Sequence, residues 1–495
     1  MATNSSKPIL LYALPPREGH MRPALQITSH IVARGFDITI IGVSAWKDAI
    51  ISAGAHYAPM MGLWNTLDDL TSPKSKWKKI LDLAHNPKEM RRQLTAALSH
   101  KVLPSGLESV RNALSEIRRR YCSGDGQDSA SSSWEGRTVV ILSDTCFSGT
   151  LPLKLGSDRP PGYENVNIRT IGIGVVPQFW ASSSRSPWGV GIAHDPTDEG
   201  VQRNLQAYAD EWDQEAEDRA RWMLEALNCD ETVDELFLRH DPEGVKGGIR
   251  HPFHDSYTVC HDTTLQLTLP SLELPAKTPK HLKFAGSLPL KPVSLWHDLQ
   301  YPSWFEIDVR AARKNQRRVV VVAQGTETPD LSELIIPTIN GLAHRDDIIV
   351  VAILCRKGAS LDESGSDDNA ATGSFVLAPN ARVIDYFPYD AVLEHADIFV
   401  SASGYGGLTH AVANSVPLIQ AGRLLDKVDI GRRVEYSGLG IYLEGKVSPK
   451  DVCDGVDRIL QNYQGFKNRA LQLKEESKSY QPLEILEQEI VSFAK

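Results

Sequence analysis

Hydrophobic and polar positions alternate between a strand period and a helix period along the chain. The first block opens with the apolar run ILLYAL and continues with Ala24, Ile27 and Ile31, whose spacing predicts a helix from about 22 to 34. The run FDITIIG follows, and later TVVILSD, which ends at Asp144. Continuous apolar runs of this kind are typical of parallel strands that are covered on both faces. The first block therefore predicts a doubly wound α/β domain.

The second block repeats this order. It opens with RRVVVVAQGT and continues through the apolar runs DIIVVAILC, ARVIDYFP, ADIFVSASG and VPLIQAG. Between the blocks, GSLPLKPVSLWHDLQYP is rich in proline and has neither period, which is typical of a linker. We therefore predict a first domain over 1–285, a linker over 286–302 and a second α/β domain over 303–465.

The chain ends in helical sequence. Ser448 and Pro449 fit the N-cap and the first position of a helix, and two further helical stretches run to Lys495. A tail of this length can fold back across both domains. We predict that residues 466–495 pack on the first domain.

The composition excludes some classes of binding partner. The formal net charge is -9 and the sequence has no long run of lysine or arginine, so we expect neither nucleic acid nor anionic lipid as a partner. No apolar run approaches the roughly 20 residues that a membrane span needs, so we expect no transmembrane segment and a cytoplasmic location. We also expect a monomer. Six cysteines lie far apart without metal-site spacing, and Cys146 has no histidine near it in sequence. We predict reduced thiols and no metal.

Two strand-to-helix joins carry candidate chemistry. In FVSASGYGGLTHAVANSVPL, glycines at 404, 406 and 407 allow close backbone approach to a ligand, and the N–H groups that open the next helix suit a phosphate. The alternative is that this turn is only a tight connection. In LPPREGHMRPAL, His20 lies where a strand gives way to a helix. A histidine there can act as a base, or it can simply hydrogen-bond the start of the helix.

Several short motifs occur in a fixed order along nearly the whole chain. They are GH…P near residue 20, SD at 143–144, AGSLP, QGT at 324–326, FP…L..AD…GYGG…VPL…DK, and SGLGIYL. In this order the chain resembles the family-1 UDP-glycosyltransferases, including bacterial and fungal enzymes that glycosylate small natural products. The resemblance implies the GT-B fold, in which two Rossmann-like domains face a cleft and C-terminal helices cross back to the first domain.

The resemblance also implies a donor site. Its residues would be Gln324, Gly325, Thr326, Tyr386, Phe387, Ser403, Gly404, Tyr405, Gly406, Gly407, Asp426 and Lys427. Tyr386 would stack on uracil and the Phe387 backbone would bind its edge, while the turn at 404–407 would bind the pyrophosphate. Asp426 would hold sugar hydroxyls, with Lys427 beside it. For Tyr386 the alternative is core packing, and for Asp426 it is a helix cap.

The resemblance assigns the acid–base chemistry to the first domain. His20 would be the base that takes the proton of an acceptor hydroxyl, and Asp144 would accept a hydrogen bond from the other ring nitrogen. Attack from the face opposite the leaving UDP would invert the sugar configuration. The resemblance implies a UDP-sugar as co-substrate and no metal or other cofactor.

Two positions depart from the family pattern. Ala402 stands where many relatives have a histidine, and His410 stands where many have a ribose-binding glutamate. These departures leave open a catalytically idle binding protein on the same scaffold. A nucleotide-sugar epimerase or hydrolase, which would need no separate acceptor, is the other alternative.

Apolar residues in loops indicate the acceptor. Candidates for lining the cleft are Met60, Met61, Trp64, Phe179 and Trp180, and burial in the core is the alternative for each. An apolar cleft favours a lipophilic hydroxylated acceptor, such as a phenolic, polyketide, terpenoid or sterol. We therefore predict an inverting O-glycosyltransferase that transfers a hexose, first of all glucose, from a UDP-sugar.

Overall fold

The fold was analysed in a computed structural model. The structure describes residues 7–62, 83, 86–97, 102–122, 134, 137–177, 180–211, 260–276, 278–290, 299–325, 330–361, 376–402, 404–423 and 425–494. Within those ranges, no helix combines the length and the apolar composition that crossing a membrane requires.

The first sheet has seven parallel strands in the part of the chain that the structure describes. They are β1 (Ile9–Ala13), β2 (Ile38–Gly42), β3 (His56–Pro59), β4 (Thr138–Asp144), β5 (Asn167–Gly174), β6 (Thr263–Gln266) and β7 (Leu282–Phe284). Their order is β3-β2-β1-β4-β5-β6-β7. The accompanying helices are α1 (Glu18–Ala33), α2 (Lys47–Ser52), α3 (Pro87–Ala97), α4 (Leu103–Cys122), α5 (Leu151–Leu155) and α6 (Asp198–Glu211). We call this unit the first domain.

The second sheet has six parallel strands among the described residues. They are β8 (Arg318–Ala323), β9 (Ile348–Ile353), β10 (Ala381–Ile384), β11 (Ile398–Ser401), β12 (Leu418–Ala421) and β13 (Gly440–Leu443), in the order β10-β9-β8-β11-β12-β13. Helices α7 (Ile335–Leu342), α8 (Tyr389–Leu393), α9 (Tyr405–Ala413), α10 (Asp426–Ser437), α11 (Pro449–Gln461) and α12 (Tyr463–Lys478) belong to this second domain, and α13 (Pro482–Ser492) ends the chain. The two sheets confirm the predicted α/β class.

Strand order reverses once in each sheet, between β1 and β4 and between β8 and β11. Ala13 pairs with Ser143 at the first reversal, and Ser401 pairs with Ala323 at the second. Parallel sheets of this kind bind ligands beyond the carboxyl ends of the strands at such a switch point. The joins that carry His20 and the glycine turn both begin there.

Helix α1 begins four residues before the predicted start. Arg17 is its extended N-cap, with φ of -94° and ψ of 147°, and Glu18 lies in the first turn. A carboxylate in the first turn stabilises a helix through the helix dipole, which the apolar spacing does not reveal. His20 is therefore in the first turn of α1 and not in the preceding loop.

Each domain sends a segment into the core of the other. On α13, Leu486 and Ile490 pack among buried residues of β1 and α1. In the opposite direction, Leu269 and Leu272 of the first domain pack in the core of the second. Because separating the domains would expose these buried apolar side chains to water, the exchanges hold the domains together.

Candidate active site

A histidine and an aspartate meet where β1 and β4 end. Nδ1 of His20 lies 2.8 Å from Oδ2 of Asp144. The Asp144 side chain is fully buried, whereas His20 keeps 16% of its side chain exposed. Oδ1 of Asp144 accepts the N–H of Cys146 at 2.8 Å, so both carboxylate oxygens are fixed. A ring that donates from Nδ1 to this carboxylate keeps its lone pair on Nε2, the nitrogen that can accept a proton.

The groups around Asp144 stay neutral at physiological pH. Burial, and then the charge of Asp144, raise the pKa of Tyr12 well above its ordinary value. Burial also raises the pKa of Cys146, with further contributions from Asp144 and from Asp426 of the second domain. Neither group therefore competes with His20 for the acid–base step. Asp426 of the second domain therefore lies near enough to this corner to act on Cys146 electrostatically.

The same corner holds a group of potential metal ligands that sequence spacing did not predict. Ligand atoms of His20, Asp144 and Cys146 lie within 4.8 Å of one another. Cys146 has no histidine near it in sequence, and only the pairing of β1 with β4 brings His20 to this corner.

The glycine turn of the second domain opens a helix onto free space. Gly404 is the N-cap of α9 and has no side-chain cap. A Cβ built on Gly406 would meet nothing within 4 Å, and one on Gly404 would meet only Oδ2 of Asp426, at 3.7 Å. The first N–H groups of α9 therefore border a space between the turn and Asp426, which is suited to an anion.

Asp426 is the first residue of α10 and follows a constrained turn. Leu425 has φ of 56°, a positive value that costs a leucine about 1–3 kcal/mol. Its side chain packs against the core of the first domain, which holds the turn in place. The stem of Lys427 lies over Gly422, where an added Cβ would be 2.6 Å from Cδ of the lysine. Contacts between the domains thus determine where the chain enters α10.

The two aromatic side chains that follow β10 lie in different environments. Tyr386 is half-buried, and Nζ of Lys357 lies 5.7 Å from the centre of its ring. Phe387 is buried and packs against Tyr301 and Phe305, with ring centres 5.6 Å and 5.8 Å away. The Phe387 side chain is an anchor, which leaves its backbone as the part that suits a ligand.

Three predicted site residues have their side chains elsewhere. Gln324 is buried, and its Oε1 accepts the N–H groups of Leu334 and Ile335 at 3.0 Å and 2.8 Å, so it caps α7. The buried Tyr405 hydroxyl donates to Glu273 of the first domain at 3.1 Å. At both positions only the backbone remains available to bind the UDP-sugar. Met60 is 1% exposed and packs in the first core, which is the alternative given for it above.

The remaining acceptor and donor predictions divide between described and undescribed residues. Met61 is half-buried, and its N–H donates to the Ser109 hydroxyl at 2.8 Å. Trp180 is half-buried under the guanidinium of Arg185, 3.7 Å from the centre of its ring. Gly325 follows β8, and Gly407 lies in α9. The predictions for Trp64, Phe179, Thr326 and Ser403 lie outside the described residues.

The two departures from the family pattern have structural partners. Ala402 is 3% exposed in the second core, and its N–H donates to the Ala323 carbonyl at 3.1 Å. His410 lies within α9 with Nδ1 2.7 Å from Oδ1 of Asp390. Each residue therefore has a packing or pairing role of its own at its position.

Comparisons with known proteins agree with this geometry. Residues 364–491 match the family model described as "Erythromycin biosynthesis protein CIII-like, C-terminal domain". The chain is 30% identical to UDP-glucosyltransferase 1 of Beauveria bassiana over 97% of this chain and 94% of that protein. It is also 30% identical to UDP-glucosyltransferase A1 of Starmerella bombicola, over 100% of this chain and 94% of that one. The chain belongs to the family-1 UDP-glycosyltransferases.

A solved structure shows the same fold for this UDP-glycosyltransferase. The glycosyltransferase of kitacinnamycin superposes with a TM-score of 0.60 at 18% identity, over 99% of each chain. The two-domain GT-B fold that the sequence motifs implied is therefore confirmed. In a GT-B enzyme the two switch points face each other, which is where the His20 pair and the start of α9 lie.

Proposed function

We propose that this UDP-glycosyltransferase transfers a hexose, first of all glucose, from a UDP-sugar to a hydroxyl of a small lipophilic acceptor. The observation that carries the proposal is the pair of His20 and Asp144, 2.8 Å apart, in a cleft whose opposite side carries Asp426 and the uncapped start of α9. Relatives named as UDP-glucosyltransferases support glucose as the first sugar to test. Both sides of the site come from one chain, so a monomer suffices.

The proposed chemistry is a single displacement. Nε2 of His20 takes the proton of the acceptor hydroxyl as its oxygen forms a bond to the anomeric carbon. The bond from that carbon to the diphosphate oxygen breaks, and UDP leaves with the electron pair. The buried carboxylate of Asp144 stabilises the imidazolium that forms. Because attack and departure occur on opposite faces, an α-linked donor gives a β-glycoside.

The leaving diphosphate would be stabilised at α9. Its first N–H groups and the positive end of its dipole border the open space beside Gly406. Asp426 at the start of α10 would accept hydrogen bonds from the sugar hydroxyls, and the half-buried Tyr386 would stack on uracil. The N–H groups and the dipole of α9 would stabilise the negative charge of the leaving diphosphate, a role that a metal ion has in other transferases. We therefore propose that no metal is required.

The acceptor side is less polar. Met61 and Trp180 are half-buried apolar side chains of the first domain, and half-buried apolar surface in a cleft favours a lipophilic ligand. A phenol, polyketide, terpenoid or sterol with one accessible hydroxyl has the required chemistry.

The test is incubation of the protein with UDP-glucose and a panel of phenols and sterols, in buffer with and without EDTA. Free UDP and glycoside are measured by mass spectrometry, and the anomeric configuration by NMR. We expect a β-glycoside in amounts equal to the UDP released, with no effect of EDTA. UDP without glycoside would indicate a hydrolase, and neither product would indicate a binding protein. An α-glycoside would contradict inversion.

A further inference from the structure

A buried carboxylate of the first domain lies between the two helices that open onto the donor pocket. Glu273 follows the short turn Pro270–Leu272, and its side chain is 6% exposed. Its Oε1 accepts the hydroxyl of Tyr405 at 3.1 Å, and its Oε2 accepts Nε of Arg433 at 2.9 Å. Tyr405 is the first residue of α9, and Arg433 lies on α10 about two turns after its first residue, Asp426. One side chain therefore holds both helices.

The segment that carries Glu273 is fixed on the second domain. Leu269 and Leu272 are buried in the second core. The N–H of Ser271 donates to Oε1 of Glu476 on α12 at 3.4 Å. Because apolar packing holds the segment on the amino-terminal side of the carboxylate, Glu273 cannot move away without opening that core.

The charges around Glu273 make its carboxylate necessary. Nη1 of Arg185, from the first domain, lies 4.0 Å from Oε2. Burial, and next the charge of Arg433, lower the pKa of Arg185 to about 10, whereas the pKa of Arg433 is raised by Glu273 against the effect of burial. Two buried guanidiniums thus share the Glu273 carboxylate, with the buried Asp429 as a second negative group near both. Neutralising Glu273 would remove the carboxylate that contacts both of them and would strengthen their mutual repulsion.

We propose that Glu273 is a positioning residue of the donor site, acting from the first domain. The proposal rests on the function proposed above. A nucleotide sugar that spans the start of α9 and Asp426 binds well only if the two helix ends keep a fixed separation. Glu273 sets that separation through Tyr405 and Arg433. It contacts neither the donor nor the reacting atoms.

The first test is Tyr405→Phe, which removes one bond to Glu273 and changes no charge. We expect the Kd of UDP, measured by calorimetry, to rise about 3- to 10-fold, the effect of losing one hydrogen bond of typical net strength. The KM of UDP-glucose should rise by the same factor, while the KM of the acceptor at saturating donor stays unchanged.

The matched control is Tyr463→Phe. The hydroxyl of Tyr463 donates to Oδ1 of Asp397 at 3.0 Å, and this buried carboxylate also pairs with Arg318 at 2.9 Å. The chemistry is the same, but Asp397 precedes β11 and lies at the amino edge of the sheet, away from the pocket. We expect a lower melting temperature and an unchanged Kd of UDP for this variant.

The second test is a double-mutant cycle with Glu273→Ala, which removes both acceptor oxygens. If Tyr405 acts through Glu273, Tyr405→Phe should change the Kd of UDP by less than about 2-fold in the Glu273→Ala background. Should Glu273→Ala fail to fold, Tyr405→Phe and its control decide alone. A Tyr405→Phe protein that is destabilised yet binds UDP like the wild type would overturn the positioning role. A wild type that neither binds UDP nor forms glycoside would instead overturn the function on which that role rests.

Discussion

The imidazole of His20 and the carboxylate of Asp144 are hydrogen-bonded at 2.8 Å although 124 residues separate them in sequence. Parallel pairing of β1 with β4 produces this contact, because both strands end at the same edge of the first sheet. The carboxylate is completely buried and its other oxygen is held by the N–H of Cys146, so it has one orientation. The histidine is consequently kept in the tautomer that a general base needs.

The substitution Asp144→Asn tests that tautomer. The amide can still accept the Cys146 N–H, but its NH₂ group would face Nδ1 of His20 and move the ring proton to Nε2. We expect the turnover number to fall about 10²- to 10⁴-fold, the range for loss of general-base catalysis. The melting temperature and the Kd of UDP should change little. An Asp144→Asn enzyme with normal turnover would make the aspartate purely structural.

The substitution Asp426→Ala tests the sugar contact. UDP has no hexose, so its inhibition constant should stay within about 2-fold of the wild type, while the KM of UDP-glucose rises about 10- to 100-fold for lost hydrogen bonds to a carboxylate. Glu435→Ala is the control, because Glu435 is a carboxylate on the same helix that pairs with Arg432. Equal weakening of UDP and UDP-glucose by Asp426→Ala would point to a different role.

The substitution Ala402→His restores the side chain that many relatives carry. Because Ala402 is buried among core residues of the second domain, the larger ring should overpack the core, at a typical cost of about 1–3 kcal/mol. We expect a lower melting temperature and weaker binding of UDP by calorimetric titration, whereas Ala402→Ser should stay close to the wild type. Tighter UDP binding by Ala402→His would mean that the diphosphate site lacks a side-chain donor.

Stability should depend on pH through Asp429. Burial raises the pKa of Asp429 from 3.8 to about 6, although the Gly189 N–H donates to it at 2.7 Å. A carboxyl with a raised pKa binds its proton more tightly when folded, so its contribution to stability is lost as pH rises from about 4 to 6. The melting temperature of Asp429→Asn, relative to the wild type, should therefore increase over that interval.

Asp347→Asn serves as the control of opposite sign. A hydrogen bond from Arg345 lowers the pKa of Asp347, so this carboxyl contributes stability above its unfolded pKa. The melting temperature of Asp347→Asn should fall relative to the wild type as pH rises to about 4, and the difference should stay constant from about 4 to 6. Parallel trends for the two variants would contradict the assignment of Asp429.

The sequence pattern predicted those helix starts and strands that depend on neighbouring residues in the chain. Ser448 is the N-cap of α11 and Pro449 lies in its first turn, as the sequence predicted. The structure adds Asp451, whose side chain completes a capping box with Ser448. Apolar runs predicted β1 and β4 because strands buried on both faces need apolar residues at every position. The glycine turn also predicted the start of α9.

Side-chain environments set by distant segments could not be predicted. Met60 and Tyr405 resemble site residues in sequence, yet packing of helices and of the other domain buries both. Glu273 has no local pattern that marks it, since its partners Tyr405 and Arg433 come from elements 132 and 160 residues away. Burial of a charged residue depends on contacts between distant segments of the assembled fold, and these contacts cannot be identified from a single sequence.

The most direct test of the account is the turnover of His20→Ala on an alcohol acceptor. His30→Ala is the matched control, because His30 lies on the same helix with a side chain 17% exposed and pairs with Glu487. The account predicts a turnover number about 10²- to 10⁴-fold below the wild type for His20→Ala, with an unchanged Kd of UDP, and normal turnover for His30→Ala. Near-normal glycoside formation by His20→Ala would contradict the assignment of His20 as the base.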